Sequence, residues 1–296
     1  MRTRCLLIGA SGQLGRALSA ELEGRCEIVG TGLRSRQAGQ LPLDLGDPAG
    51  AVNYVEDVRP EWIIIAGAYC NVEQAESERR RCMAVNAEGP AAVAAWAQAH
   101  GASVVFYSTD SVFDGAKERY AETDEMRPLN AYSESKVRGE ELVRQAAPER
   151  HLILRTTWLY GPNEPRRNFI LRFIDEVRSG RPVPVPDDQW GSPTYSEDLA
   201  AATRWLLERG ATGTFHAAGP EFVPRVELAL RVCDHFGLDP SVVAPTPTDR
   251  LGQAARRPLK TRLDCGKLAA AGAPAFRGVD AGLAALRRWH DSLVNA

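Results

Sequence analysis

A tyrosine and a lysine stand four residues apart near the middle of the chain, at Tyr132 and Lys136. On a helix this spacing places the phenol and the ammonium on one face, one turn from each other. The lysine charge would lower the pKa of the phenol and would also bind a nicotinamide ribose. The phenol would then pass a proton to a substrate oxygen as hydride reaches the adjoining carbon. By itself the pair is also compatible with a solvated helix face.

A hydroxyl group suited to the same chemistry lies upstream, in Ser108-Thr109-Asp110. This segment follows an apolar run that is typical of a buried parallel strand, and ligands bind at the carboxyl ends of such strands. The Thr109 hydroxyl would hydrogen-bond the substrate carbonyl beside the phenol. Thr109, Tyr132 and Lys136 would then form a catalytic set that needs no metal. The alternative is a capping role for Ser108 and Thr109.

A glycine-rich loop near the start of the chain is typical of a pyrophosphate site. It follows a short apolar run and precedes an amphipathic segment, and its G-x-x-G-x-x-G spacing is typical of short-chain dehydrogenases. Glycines allow a tight turn and a close approach of the backbone to phosphate, and a helix N-terminus offers free N–H groups. An ordinary strand-to-helix turn is the alternative interpretation. The predicted cofactor contacts in this loop are Gly9, Ser11, Gly12, Gln13, Leu14 and Gly15.

The choice of dinucleotide depends on the end of the second predicted strand, which begins at Glu27. A carboxylate there would bond the adenosine ribose hydroxyls and repel a 2′-phosphate, but no acid follows this strand. Arg34 and Arg36 would instead clamp a 2′-phosphate, which predicts NADPH, with NADH as the alternative cofactor. A solvated basic loop is the other interpretation. Asp44 and Leu45 would place a carboxylate by the adenine amino group and an apolar cap on its ring.

The composition limits the classes of function. The chain has 296 residues, 44% of them hydrophobic, and a formal net charge of −2. These values favour a globular protein and disfavour bulk binding to nucleic acid or to an anionic membrane. The first apolar run ends at Gly9 and is too short for a signal peptide or a membrane span, so we expect a cytoplasmic protein. The six cysteines form no CxxC pattern or Cys/His cluster, which indicates reduced thiols and no metal site.

Short β-branched runs alternate with helical patterns in the first half of the chain. The predicted strands are 5–8, 27–29, 62–66, 104–107 and 151–155, and the predicted helices are 14–22, 49–55, 82–100 and 132–145. This order predicts an α/β fold with a Rossmann-type doubly wound parallel sheet. After Thr156, prolines interrupt the pattern around one clear helix, 169–179. Later segments are predicted as helices 196–208 and 226–236, a strand at 213–217 and a terminal helix.

The loss of strand–helix alternation after Thr156 predicts that the chain forms two domains. We expect a dinucleotide-binding domain over residues 1–155, to which about 194–217 return. We expect a smaller C-terminal lobe, mainly 156–296, to bind the substrate over the strand ends.

These residues resemble the dTDP-4-dehydrorhamnose reductase family of extended short-chain reductases, and the likeness runs over nearly the whole chain. The motifs that carry it, beyond the phosphate loop and the catalytic set, include Val72-Glu73-Gln74-Ala75-Glu76, Val85-Asn86-Ala87, Pro128-Leu129-Asn130-Ala131, Arg155-Thr156-Thr157-Trp158, Asp188-Gln189-Trp190-Gly191-Ser192-Pro193-Thr194 and Arg257-Pro258-Leu259-Lys260. The late motifs are absent from generic short-chain dehydrogenases.

The resemblance implies hydride transfer from NAD(P)H to C4 of a nucleotide-linked 4-keto-6-deoxy sugar. The positions it implies are Ala66, Gly67 and Ala68 beside the cofactor, and Ser111, Trp158, Asn168, Phe169 and Arg257 around the substrate. Arg257 would grip a diphosphate oxygen with its planar fork. The alternatives are a core role for Trp158, a helix cap at Asn168 and mere surface charge at Arg257. The oligomeric state is open, with a homodimer as one expectation.

The chain departs from the family pattern in three places. Ser111 stands where the family usually has tyrosine, Ile65-Ala66-Gly67 replaces Asn-Ala-Ala, and Phe222-Val223-Pro224-Arg225 lacks the usual Ser/Thr-rich helix start. Ser111 predicts a smaller sugar-facing wall and a substrate other than the usual one.

The sequence bears on three other functions. A sugar-nucleotide dehydratase is disfavoured, because Ser111 cannot do the proton chemistry that a glutamate performs there. The arginines after the second strand disfavour an epimerase that holds NAD tightly. A non-catalytic regulatory subunit is the third alternative, because Leu263-Asp264-Cys265 resembles part of the methionine adenosyltransferase β subunit.

Overall fold

A six-stranded parallel sheet forms the centre of the protein, in a computed structural model that describes residues 2–33, 42–162 and 168–294. The strands are β1 (Arg4–Ile8), β2 (Glu27–Thr31), β3 (Trp62–Ile65), β4 (Ser103–Thr109), β5 (His151–Thr156), β6 (Leu159–Tyr160), β7 (Val183–Pro186), β8 (Trp190–Gly191), β9 (Thr194–Tyr195), β10 (Gly213–His216), β11 (Val223–Pro224) and β12 (Val243–Thr246). The helices are α1 (Gln13–Leu22), α2 (Pro48–Val58), α3 (Val72–Ala75), α4 (Arg79–Met83), α5 (Gly89–His100), α6 (Ala131–Ala146), α7 (Phe169–Arg178), α8 (Ser196–Glu208), α9 (Arg225–Phe236), α10 (Gly266–Ala270) and α11 (Val279–Val294).

The strand order across the sheet is β10-β5-β4-β3-β1-β2, which confirms the predicted doubly wound α/β fold. The apolar runs are continuous because helices cover both faces of the sheet. One apolar cluster includes residues of α1 and α8, and a second includes residues of α2 and α5. The direction of winding reverses between β1 and β3, and a crevice opens at the carboxyl ends of strands at such a switch point.

The predicted strands and helices of the first half are present, with ends that differ by a few residues. The predicted helix 82–100 is instead α4, a π-helical turn at Ala84–Glu88 and then α5. Pro90, at the start of α5, has no N–H to donate to the carbonyl four residues earlier. That carbonyl belongs to Asn86, and it lies so close to Gly139 of α6 that a β-carbon there would stand 2.2 Å from it. The turn therefore fits the close contact between these helices.

The region after residue 156 holds more strand than the sequence predicts. Three two-stranded pairs, β6 with β9, β11 with β8 and β12 with β7, lie there around a third apolar cluster that includes residues of α7, α9 and α11. These strands are short, and β7, β11 and β12 contain proline, so they show no period-2 pattern that could reveal them.

Residues 213–216 return to the central sheet, where β10 pairs with β5. The boundary at residue 155 remains a prediction. In the three described segments, no helix has the length and apolar character required to cross a bilayer.

Candidate active site

The phosphate loop turns tightly between β1 and α1. Gly9 has φ +88°, and a β-carbon there would stand 2.5 Å from the Gly67 nitrogen. A β-carbon at Gly15 would stand 2.2 Å from the Gly9 carbonyl oxygen. Gly12 is the N-cap of α1, and no side chain caps the helix. The start of α1 therefore presents backbone N–H groups and the positive end of the helix dipole, which is the arrangement that binds phosphate.

A second loop, after β3, lies against the first. The N–H groups of Ala66 and Gly67 both donate to the Ile8 carbonyl, at 2.9 Å each. On the other side, Gly9 and the residue after it donate to the Thr31 carbonyl at 3.0 and 2.8 Å. These bonds join the ends of β1, β2 and β3 into one wall of a cleft. That wall contains eight of the predicted cofactor residues: Gly9, Ser11, Gly12, Gln13, Leu14, Ala66, Gly67 and Ala68.

The predicted adenosine contacts are placed differently. Arg34 and Arg36 lie outside the described residues. Asp44 accepts two hydrogen bonds from Arg81, at 2.7 and 2.8 Å, and one from a backbone N–H. Burial raises the pKa of Asp44, but these bonds outweigh it and lower the pKa overall. Leu45 is buried in the core beneath α2. The described cleft wall includes neither Asp44 nor Leu45, so their contact with adenine stays a prediction.

The three predicted catalytic residues line one cleft together. Thr109 ends β4, and Tyr132 and Lys136 lie one turn apart at the start of α6. The helix begins here because the Asn130 side chain caps it, accepting a bond from the Ser133 N–H at 2.8 Å. The edge of the sheet therefore brings the hydroxyl, the phenol and the ammonium to one place, as the spacing predicts.

Lys136 is buried, with 3% of its surface exposed. Its ammonium donates to the Tyr107 carbonyl at 2.5 Å and lies 3.9 Å from the centroid of the Phe106 ring. Burial lowers the pKa of Lys136 to about 8, because a charged ammonium is disfavoured away from water.

The pKa of Tyr132 shifts in the direction opposite to the one expected from the sequence. Burial raises the pKa of the phenol well above 10, and the Thr109 hydroxyl lowers it only in part. The nearby Cys70 and Asp110 side chains raise it further. The net shift of this pKa is therefore upward, and not the depression that the sequence predicts. A phenol with a raised pKa stays protonated near neutral pH and is a proton donor.

A chain of hydroxyl groups links Thr109 to the substrate wall. The Thr109 and Ser111 hydroxyls lie 3.1 Å apart, and the Ser133 hydroxyl donates to Ser111 at 3.1 Å. Thr109 also donates to the Asp110 carboxylate at 3.2 Å, and Thr261 donates to the other oxygen of that carboxylate. The Thr109 hydroxyl is thus held by its neighbours on both sides.

Asn86 links the loop after β3 to α6. The sequence does not predict this pair of contacts. Its side-chain oxygen accepts from the Tyr69 N–H at 2.8 Å, and its amide nitrogen donates to the Ser135 hydroxyl at 2.9 Å. This buried amide therefore ties the loop after β3 to the helix that carries the catalytic pair. The Val85-Asn86-Ala87 motif was the signal that marked it.

The predicted substrate residues lie in the same region. Trp158 and Phe169 line the cleft. Asn168 caps α7, accepting from the Leu171 N–H at 2.9 Å and donating to a backbone carbonyl at 3.0 Å, so the capping interpretation holds for its described contacts. Arg257 also lines the cleft, but its guanidinium donates to Glu73 at 2.6 Å.

The sequence reasoning missed Arg225, which stands next to these residues. Its guanidinium carbon lies 3.7 Å from the centroid of the Trp158 ring and 4.6 Å from that of the Phe169 ring.

The cleft has a volume of about 1210 Å³. A site for one small molecule usually measures about 300–1,000 Å³. The cleft reaches from the phosphate loop to Trp158 and Arg257, so its two ends have room for two ligands side by side. The arrangement suits a dinucleotide on the β1 side and a second molecule on the lobe side, with the catalytic set between them.

The fold and the site define an NAD(P)-dependent oxidoreductase of the extended short-chain class. The sequence matches the family described as RmlD substrate binding domain over residues 3–287, and the chain belongs to that family.

Two relatives and one solved structure illustrate the likeness. A dTDP-4-keto-6-deoxy-D-glucose reductase of Streptomyces niveus is 35% identical over 297 residues, covering 100% of this chain and 97% of the relative. A dTDP-4-dehydrorhamnose reductase of Streptomyces griseus is also 35% identical, covering 100% of this chain and 93% of the relative. The crystal structure of dTDP-4-dehydrorhamnose reductase from Bacillus anthracis in complex with NADP has a TM-score of 0.90 at 31% identity, covering 98% of this chain and 100% of that one.

Proposed function

We propose that the protein uses NADPH to reduce the C4 keto group of a nucleotide-linked 4-keto-6-deoxy sugar. The observation that carries this proposal is the convergence of Thr109, Tyr132 and Lys136 in one cleft with the phosphate loop. The helix that follows this loop, α1, has no side-chain cap. The relatives' activities support the choice of substrate class, because they are reductases of dTDP-linked 4-keto sugars.

Each of the three residues has a separate role in the proposed reduction. When substrate binds, the Thr109 hydroxyl turns from the Asp110 carboxylate, donates to the substrate carbonyl oxygen and holds it beside the phenol. Tyr132 gives its proton to that oxygen while the carbonyl carbon accepts hydride, and the products are the alcohol and a tyrosinate that regains a proton from water. The charge of Lys136 stabilises the tyrosinate as it forms. Bound NADPH supplies the hydride.

The phosphate loop, Ala66 and Gly67 would hold the cofactor. The backbone N–H groups at the start of α1 would take the pyrophosphate, and the close approach of Gly9 to Gly67 leaves the surface flat enough for it. Arg34 and Arg36 would take the 2′-phosphate, which is the reason for preferring NADPH to NADH. A cytoplasmic location and a homodimer also belong to the proposal.

The proposal is tested by following NADPH oxidation with a panel of nucleotide 4-keto-6-deoxy sugars and determining the product's C4 configuration by NMR. Tyr132→Phe should lower kcat about 100- to 10,000-fold and leave NADPH binding unchanged, since only the proton donor is lost. Tyr54→Phe removes a phenol on α2, outside the cleft, and serves as the matched control. NADPH binding without reduction of any sugar in the panel would contradict the proposal and favour the regulatory-subunit alternative.

A further inference from the structure

Arg225 opens α9 at a place where the sequence departs from its family pattern. Pro224 precedes it as the N-cap, and no side chain caps this helix. The pairing of β11 with β8 and a hydrogen bond from the Arg225 N–H to the Gln189 carbonyl, 2.8 Å, fix the backbone. The side chain therefore starts from a rigid point on the substrate side of the cleft.

Two aromatic rings hold the guanidinium of Arg225. It lies against Trp158 and Phe169 at the distances given above. Trp158 has φ +42°, a left-handed backbone that costs roughly 1–3 kcal/mol in a non-glycine residue. Its ring occupies the space beside Gly191, where a β-carbon would stand 2.3 Å away. The fold thus accepts backbone strain to keep this ring in place.

The stacked guanidinium has hydrogen-bonding capacity that the described residues leave unused. Its Nε is buried and has no hydrogen-bond partner among the described residues. Among the described residues, no carboxylate lies within 4 Å of the Arg225 guanidinium nitrogens. Stacking covers the faces of a guanidinium and leaves its N–H edge free, and buried donors of this kind are rarely left without a partner.

Positive charge gathers around this edge. Arg172 and Arg257 line the same cleft, and each acts electrostatically on Arg225. The carboxylate with the largest effect on Arg225 is Asp110, whose oxygens already accept from Thr109 and Thr261. Burial lowers the pKa of Arg225 to about 10, so the group is still charged at neutral pH.

We propose that Arg225 is the principal contact of this chain with the diphosphate of its nucleotide-sugar substrate. The identity of that ligand rests on the proposed function. A sugar ring is neutral, whereas a diphosphate carries negative charge and accepts two parallel bonds from a guanidinium. Arg257, the residue expected from the sequence to take this role, already donates to Glu73, so it contributes less.

The test is a calorimetric measurement of dTDP and thymidine binding, with NADP⁺ at saturation so that the phosphate loop is filled. Arg225→Met should weaken dTDP binding about 10- to 100-fold, the effect of losing charge-assisted hydrogen bonds, and should leave thymidine binding unchanged. Arg257→Met should weaken dTDP binding less than about fivefold. Arg209→Met is the matched control, because Arg209 stacks on the Trp205 ring at 3.1 Å outside the cleft and should change neither affinity.

A second variant covers the case in which Arg225→Met does not fold. Arg225→Lys keeps the charge and loses the fork and the stacking, and it should weaken dTDP binding about 3- to 10-fold. In steady-state assays Arg225→Lys should raise KM for the nucleotide sugar and leave kcat nearly constant. The reason is that the contact between Arg225 and the diphosphate is the same in the ground and transition states.

The outcomes separate this inference from the proposed function. Wild-type affinity for dTDP in the Arg225 variants overturns the inference, whether or not the enzyme reduces a keto-sugar. A selective loss of dTDP affinity in a protein that reduces no nucleotide sugar supports the inference and overturns the proposed function.

Discussion

Replacing Lys136 with methionine should abolish turnover and yet stabilise the folded protein at neutral pH. The ammonium is buried, and its described contacts are the Tyr107 carbonyl and the face of the Phe106 ring. Neither contact restores the solvation that a charge loses on burial. Methionine has a similar length and carries no charge, so it should fill the same space without that penalty.

The size of the effect follows from the pKa. A lysine whose pKa falls from 10.5 to about 8 carries about 3 kcal/mol of unfavourable free energy in its protonated form. Because 3% of the side chain is exposed, solvent screening reduces this value little. The substitution also leaves the Tyr107 carbonyl without its donor, which costs about 1 kcal/mol. The expected net gain at pH 7 is therefore about 2 kcal/mol.

The gain should depend on pH in a defined direction. Below pH 8 both the folded and the unfolded wild-type chains carry the charge, so the full penalty applies. Between pH 8 and 10.5 the folded lysine loses its proton while the unfolded one keeps it, and the wild type gains stability as the pH rises. The difference between Lys136→Met and wild type should therefore shrink over this range.

The assay is urea unfolding of both proteins at several pH values from 7 to 10, without nucleotide. Lys267→Met is the matched control, because that exposed ammonium makes the same two kinds of contact, with the Thr214 carbonyl at 2.6 Å and the Phe215 ring at 4.2 Å. Its effect should stay within about 0.5 kcal/mol. A Lys136→Met protein that is less stable than wild type throughout this pH range would refute the argument that burial of the charge is costly.

Three further changes test other parts of the molecule. Gly15→Ala should reduce NADPH binding at least about tenfold, measured by fluorescence, because the new β-carbon would stand 2.2 Å from the Gly9 carbonyl oxygen; unchanged binding would mean that the loop can shift at no cost. Glu140→Gln breaks the buried ion pair with Arg155 and should lower the free energy of unfolding by about 3–5 kcal/mol. In the wild type the pKa of this carboxyl is lowered, so the stability that the ion pair contributes should be lost as the pH falls below about 4.5. Changing both Arg34 and Arg36 to serine should raise KM for NADPH about tenfold or more and leave NADH unaffected, so equal effects on the two cofactors would argue against the clamp.

The central sheet and the meeting of Thr109, Tyr132 and Lys136 in one cleft could be predicted because both depend on local sequence. Parallel strands buried on both faces need continuous apolar runs, and strands that end at one edge of a sheet bring Thr109 near Tyr132 without knowledge of any distant contact. The role of Arg225 could not be predicted in this way. It depends on the meeting of α9 with Trp158 and Phe169, which lie more than 50 residues earlier in the chain.

The cap at Asn168 shows a second limit of the sequence. An asparagine before an apolar helix fits a ligand contact and a helix cap equally well, and only the 2.9 Å bond from Leu171 shows which contact the folded chain makes. The short strands after residue 156 show a third. Strands of two to four residues are too short to display a period, and proline interrupts three of them.

Burial has opposite effects on the pKa values of Tyr132 and Lys136, and both effects suit the proposed reduction. It raises the pKa of Tyr132, so the phenol keeps the proton that it must deliver, and it lowers the pKa of Lys136 to about 8, so that most of these side chains are still charged at pH 7. A charge that water does not screen acts more strongly on a developing negative charge nearby than an exposed one does. The environment that makes the ammonium unfavourable for folding is therefore the environment in which it stabilises the tyrosinate most. The stability that Lys136→Met is expected to gain measures what the fold gives up to keep that charge in place.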